Sequence, residues 1–162
     1  MQMNNTIGFL WILLTLLVGM CLRIAPWPGE MAGFNPDWVL LFLIYWSIAI
    51  PERVGIFHAW TLGLLTDVLT GRLLGQYALA YSLVIYLCLK LHKRLRQYPL
   101  IQQGLFVFFC LLLSQLLLFV IKNMQHPAQL HAAFWLPVFT GTLCWPLVYG
   151  VLRFVRLSQR FK

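Results

Sequence analysis

The chain has 162 residues, 61% of them apolar and 10% charged, with twelve Lys plus Arg against four Asp plus Glu and a net charge of +8. A soluble domain of this size needs about a quarter of its residues charged to cover its surface, so the composition excludes one, along with disorder, collagen and coiled coil. What remains is an all-α, polytopic membrane protein.

A helix rises about 1.5 Å per residue, so a hydrocarbon core of about 30 Å takes roughly 20 residues to cross, fewer where flanking side chains snorkel. Six apolar runs, 7–22, 38–50, 55–69, 77–89, 100–121 and 133–152, predict six transmembrane helices in one integral membrane domain, 1–162. The first run lacks a basic leader and an A-x-A-like cleavage site, and Met20 before Cys21 does not suit lipidation, so it is expected to stay attached as a span. Pro26, Trp27, Pro28 and Gly29 break the chain after it, and Asn35 with Pro36 suits the start of the second helix. Pro51 and Glu52 end that helix. Fourteen uncharged residues lie between Asp37 and Glu52, and thirteen between Arg53 and Asp67. Fusing runs two and three into a single span would draw Glu52 and Arg53 toward mid-bilayer, at roughly 2.5 to 3.5 kcal/mol each, so six spans are favoured over five. Pro99 opens the fifth helix, and Asn123, His126 and Pro127 close it. Pro137 and Pro146 inside the sixth run predict a kink.

With both termini inside, the inner segments hold nine cations (Arg53; Lys90, Lys93, Arg94 and Arg96 in the loop after span four; Arg153, Arg156, Arg160 and Lys162 in the tail). The outer loops hold three, Arg23, Arg72 and Lys122. Cytoplasmic retention of positive charge therefore favours cytoplasmic N- and C-termini. Trp11, Trp27, Trp38, Trp135, Trp145, Tyr77 and Tyr98 lie mostly near span ends, where amphipathic rings sit at headgroup level. Cys21, Cys88, Cys110 and Cys144 occur singly within apolar runs, with no metal-binding or redox spacing; they read as small core residues. No segment outside the spans could fold into a nucleic-acid-binding face.

Chemistry has few candidates. The acids are scattered at Glu30, Asp37, Glu52 and Asp67; His58 and Asp67 fall on opposite faces of one helix; His126 and His131 lack a third ligand. No catalytic, phosphate-binding or dinucleotide motif is present, so neither an enzyme, a metal nor a cofactor is expected. Asp67 is the most informative residue, because an acid within a span needs a partner. Gly63, Asp67 and Gly71 recur every four residues, flanked by Thr66 and Thr70, and while the helix persists they form a small, polar face for a helix or a ligand. Alternatively, Asp67 and Thr70 solvate the helix end and Gly71 caps it. The basic surface of Lys90, Lys93, Arg94, Arg96, Arg153 and Arg156 reflects topology and attraction to anionic lipid headgroups; the functional alternative is a cytoplasmic protein docked on the loop 90–97.

The stretch Asn35, Pro36, Asp37, Trp38, Val39, Leu40, Leu41, with Tyr45, Trp46, Ile50, Pro51, Glu52, Arg53 and Val54, resembles the second-span region of the rod shape-determining protein MreD family. The series Gly63, Asp67, Gly71, Gly75 resembles that family's G-x3-D-x3-G-x3-G stretch, and the resemblance covers essentially the whole chain. The pattern departs at Asn35, where relatives are expected to carry Arg, leaving open any ionic contact such an Arg makes. The resemblance implies a non-enzymatic scaffold in the bacterial inner membrane. It would bind MreC and link, directly or indirectly, to MreB, RodA and the transpeptidase partner of RodA. It also implies a fold similar to the substrate-binding subunits of energy-coupling-factor transporters. A monomer and a homodimer are both open. The Gly63, Asp67, Gly71 face is the expected seat for the transmembrane helix of MreC. The rival from another class is a small-molecule-binding transporter subunit with a pocket near Asp67 and Trp60.

Overall fold

The computed structural model describes residues 5–127, 129 and 131–158, so Arg160 and Lys162 of the basic tail lie outside the described residues. Six α-helices account for most of the chain: α1 (Asn5–Ile24), α2 (Trp38–Ala49), α3 (Ile56–Leu69), α4 (Gln76–Leu95), α5 (Leu100–Gln125) and α6 (Leu136–Ser158). Short 3-10 turns, Gly29–Phe34 and Ala132–Trp135, precede α2 and α6. The stretches Leu100–Gln125 and Ala132–Ser158 are long and apolar enough to cross a membrane by length and composition alone.

The helix that is apolar on every side sits in the middle. Every residue of α2 from Val39 to Ile48 is buried, and α1, α4, α5 and α6 surround it while α3 lies chiefly against α4. Because α2 is sheathed by protein, its twelve residues need not match the thickness of a bilayer. The chain breaks between α2 and α3, where the Arg53 and Val54 amides return to the Ile50 carbonyl. The two short runs are thus separate helices, not one long one.

Within the core, polar groups are used to fasten helices. Thr15 of α1 accepts a hydrogen bond from the Trp46 indole of α2 at 3.0 Å while donating to the Ile12 carbonyl. Such a bond fixes rotation between two helices that apolar packing alone would leave free to slide. Gly63 provides the closest approach: a Cβ built there would stand 2.3 Å from Ala78 Cα, so α3 and α4 meet backbone to backbone.

Four expectations change. The basic run after the fourth span is not a loop, because α4 continues to Leu95; Lys and Arg are good helix formers and complement the negative C-terminal end of the helix dipole. Trp145 and Tyr77 are buried against the protein core and do not face outward. Cys88 and Cys110 are buried as expected, but Cys21 is exposed on the outer face of α1. Finally, Pro137 falls in the first turn of α6, where no intrahelical N–H is required, leaving Pro146 as the interior proline.

Candidate functional site

The residues singled out from sequence collect at the two ends of the bundle. At the end where α1 and α3 finish and α2 and α4 begin, a knot of polar side chains is enclosed. Asp37 caps α2, its Oδ1 accepting from the Leu40 amide at 3.2 Å. The buried Tyr81 hydroxyl of α4 lies 2.7 and 2.8 Å from the two oxygens of the same carboxylate. Arg23, from the last turn of α1, places Nη1 3.6 Å from Asp37 Oδ1. Arg23 also donates to the Tyr77 hydroxyl and lies 4.8 Å from the centre of the Tyr77 ring. One carboxylate thus gathers α1, α2 and α4.

Asn35 and Pro36 belong to the same structure. Asn35 donates through Nδ2 to the Arg23 carbonyl at 3.2 Å and accepts from the Trp38 indole at 2.9 Å, so it closes the C-terminal end of α1 onto the start of α2. Proline at 36 favours the extended backbone of the preceding residue, and Asn35 is indeed extended. An ion pair is present beside Asn35, between Arg23 and Asp37. From sequence alone Arg23 reads only as an outer-loop charge, and Tyr81 as one more residue of an apolar run. The one signal in the sequence is the position of Arg23 directly at the end of an apolar run, with the single acid of the 35–37 motif, Asp37, at the start of the next.

Asp67 lies beside this knot and is fully buried. Its carboxylate accepts from the Gly75 amide at 2.8 Å and from the Tyr77 amide at 3.0 Å. These are the free amides at the start of α4, where a negative charge is favoured by the helix dipole. The helix partner that Asp67 and Gly63 serve is therefore α4 of the same chain, and the small-residue face is occupied. Gly71 has left that face. At φ +63° it follows the last turn of α3, with its own amide on the Val68 carbonyl at 3.2 Å and the Arg72 amide on the Asp67 carbonyl at 3.0 Å. That pair of bonds is the Schellman cap, which requires a left-handed residue and so favours glycine. Thr66 and Thr70 turn their hydroxyls back onto the carbonyls of Leu62 and Thr66, at 2.8 and 2.7 Å. Gly71 thus acts as the alternative sequence reading expected, whereas Asp67 is not solvated.

The opposite end carries the basic residues. Arg96 donates through Nε to the Ile48 carbonyl and through Nη2 to the Ala49 carbonyl, both at 2.7 Å, and so closes the C-terminal end of α2. Lys90, Lys93 and Arg94 are exposed. Arg96, Arg153 and Arg156 line a cavity of about 670 Å³ between the ends of α2, α4, α5 and α6, together with Glu52, Arg53 and the aromatic rings of Tyr45, Trp145 and Tyr149. The pocket expected near Asp67 and Trp60 is not where this cavity lies: Asp67 is enclosed against α4, and Trp60 is exposed.

Comparison with known proteins agrees with the motif. The family model for the rod shape-determining protein MreD matches residues 3–155. A Haemophilus influenzae protein described as rod shape-determining protein MreD is 33% identical over 156 residues, covering 96% of each chain. No solved structure matches. With the motif, the match over nearly the full length and the helical bundle all in agreement, the chain belongs to the rod shape-determining protein MreD family.

Proposed function

We propose that this chain works in rod-shape determination as a non-enzymatic scaffold of the bacterial inner membrane, crossing it six times with both termini cytoplasmic. In this reading it holds MreC and through it, or directly, links MreB with RodA and its transpeptidase partner. The bundle would share the architecture of energy-coupling-factor substrate-binding subunits, an analogy of fold and not of activity.

The observation that carries the scaffold reading is the use made of the buried acids. Asp37 and Asp67 each hold helices of this chain together, through Tyr81, Arg23 and the Leu40 amide in one case and through two amides of α4 in the other. A carboxylate so engaged fixes shape. What the molecule then presents outward is apolar, including Leu10, Leu14 and Leu17 along α1 and Phe57, Leu65 and Val68 along α3. With the Gly63 face taken by α4, the transmembrane helix of MreC is assigned to the outward faces of α1 and α3.

Site-specific photo-crosslinking in membranes containing MreC tests this assignment. Crosslinks from position 14 or 65, with none from position 143 on the outward side of α6, are expected. Crosslinks confined to α6, or no co-purification of MreC at all, would overturn it.

A further inference from the structure

The cavity at the basic end has a chemistry of its own, separate from the rod-shape reading and not dependent on it. Trp145 is 1% exposed and lines the cavity, and its indole N–H has no partner among the described residues. Arg156 Nε is likewise buried without a partner. In the lining of the same cavity Gln103 is fixed by its amide nitrogen, which donates to the Leu95 and Tyr98 carbonyls at 2.8 and 3.2 Å, leaving Oε1 buried and without a partner among the described residues. Buried polar groups without partners are uncommon because each costs its full desolvation. All three belong to residues that line one cavity, so a polar occupant there has groups to satisfy.

The unmatched groups specify that occupant. Two donors, one of them on a guanidinium, call for an anionic acceptor, and Arg153 and Arg96 on the wall outweigh the single acid, Glu52. Arginine with a planar fork of donors suits a phosphate. Gln103 Oε1 requires the reverse, a donor such as a hydroxyl. An inorganic phosphate dianion offers a single P–OH beside its acceptor oxygens, whereas a phosphate ester of a polyol also carries hydroxyls several bonds from the phosphorus, able to reach a second residue. A phosphate carrying hydroxyls satisfies both.

We propose that this cavity is a binding site for a glycerol phosphate group, with the phosphate on Trp145 Nε1 and Arg156 and a glycerol hydroxyl on Gln103 Oε1. The group has two possible sources, the headgroup of phosphatidylglycerol in the surrounding leaflet or a soluble glycerol phosphate. In either case occupancy ties the ends of α5 and α6 together.

Purified protein in detergent, titrated separately with phosphatidylglycerol, phosphatidylcholine, sn-glycerol 3-phosphate and inorganic phosphate, tests the proposal by thermal unfolding and native mass spectrometry. Stabilisation by phosphatidylglycerol above phosphatidylcholine identifies the lipid source, and equal stabilisation by glycerol phosphate alone identifies the soluble one. The pair Arg153→Gln and Arg156→Gln should weaken that binding roughly thirtyfold, whereas Lys93→Gln with Arg94→Gln, the same loss of charge outside the cavity, should leave it unchanged. Should the first pair not fold, Ala49→Trp, which narrows the cavity from α2, must weaken binding in its place. Equal loss in both charge pairs, binding undiminished by Ala49→Trp, inorganic phosphate matching glycerol phosphate, or no stabilisation beyond phosphatidylcholine would each overturn it.

Discussion

The hydroxyl of Tyr81 lies within 2.8 Å of both oxygens of Asp37, forty-four residues away in the chain. A buried carboxylate that loses such a donor keeps its charge but not its solvation. Tyr81→Phe should therefore destabilise the protein by about 1.5 to 3 kcal/mol, a charge-assisted hydrogen bond lost without relief to the carboxylate. Asp37→Ala should cost more, about 3 to 5 kcal/mol, since it strands the half-buried Arg23. Thermal unfolding in detergent reads both, and a Tyr81→Phe melting point equal to that of the parent would contradict the role given to this bond.

Asp67 caps a helix it does not belong to. Asp67→Asn keeps one acceptor oxygen and should lose about 1 kcal/mol, while Asp67→Ala exposes both α4 amides in a buried site and should lose about 2 kcal/mol or more. The order Ala below Asn below Asp in melting temperature is the expected outcome.

The glycines separate by the space around them. Gly63→Ala drives a methyl into the Ala78 backbone, with 2.3 Å where van der Waals contact needs well over 3 Å. It should destabilise by about 1 to 3 kcal/mol or prevent folding, as overpacking does. Gly150→Ala, inside α6 with nothing within 4 Å, should stabilise by up to about 1 kcal/mol through helix propensity. Comparable losses from both would show that the α3–α4 contact is not as close as described.

The basic surface divides in the same way. Arg96→Gln removes the clamp on the α2 carbonyls and should lower stability by about 1 to 2 kcal/mol. Lys93→Glu with Arg94→Glu alters exposed charges in the last turn of α4 and should weaken recovery of a cytoplasmic partner while leaving membrane insertion as it was, at a cost of about 1 kcal/mol from the reversed charges at the helix end. Unchanged recovery would remove the exposed part of α4 from the docking surface.

The number of helices and most of their ends were legible in the sequence because they depend on local chemistry. Prolines and glycines stop helices wherever they occur, and apolar runs show through composition alone. Asn35, Pro36 and Asp37 could be recognised as a helix start for the same reason. Their partners could not. Arg23, Tyr77 and Tyr81 join Asp37 only once α1, α2 and α4 are assembled, and nothing in a single sequence marks an aromatic residue in an apolar run as a hydrogen-bond donor to a distant acid. Gly63 and Asp67 read from sequence as a surface for a helix or a ligand, but a four-residue repeat does not say what will meet it. The basic clusters look alike as charge runs, and it takes the ends of α2 and α6 to separate Arg96 and Arg156 from Lys93 and Arg94.

Depletion in a rod-shaped bacterium, with this chain supplied on a plasmid in place of the host's own MreD-family protein, reads most directly whether a rigid, non-catalytic bundle supports rod shape. Cells without it should become round, cells with the parent chain should stay rod-shaped, and cells with Asp37→Ala should round as the folded protein is lost from the membrane. Rod-shaped cells after complete depletion, accompanied by a defect in the uptake of a nutrient, would contradict the scaffold and favour transport.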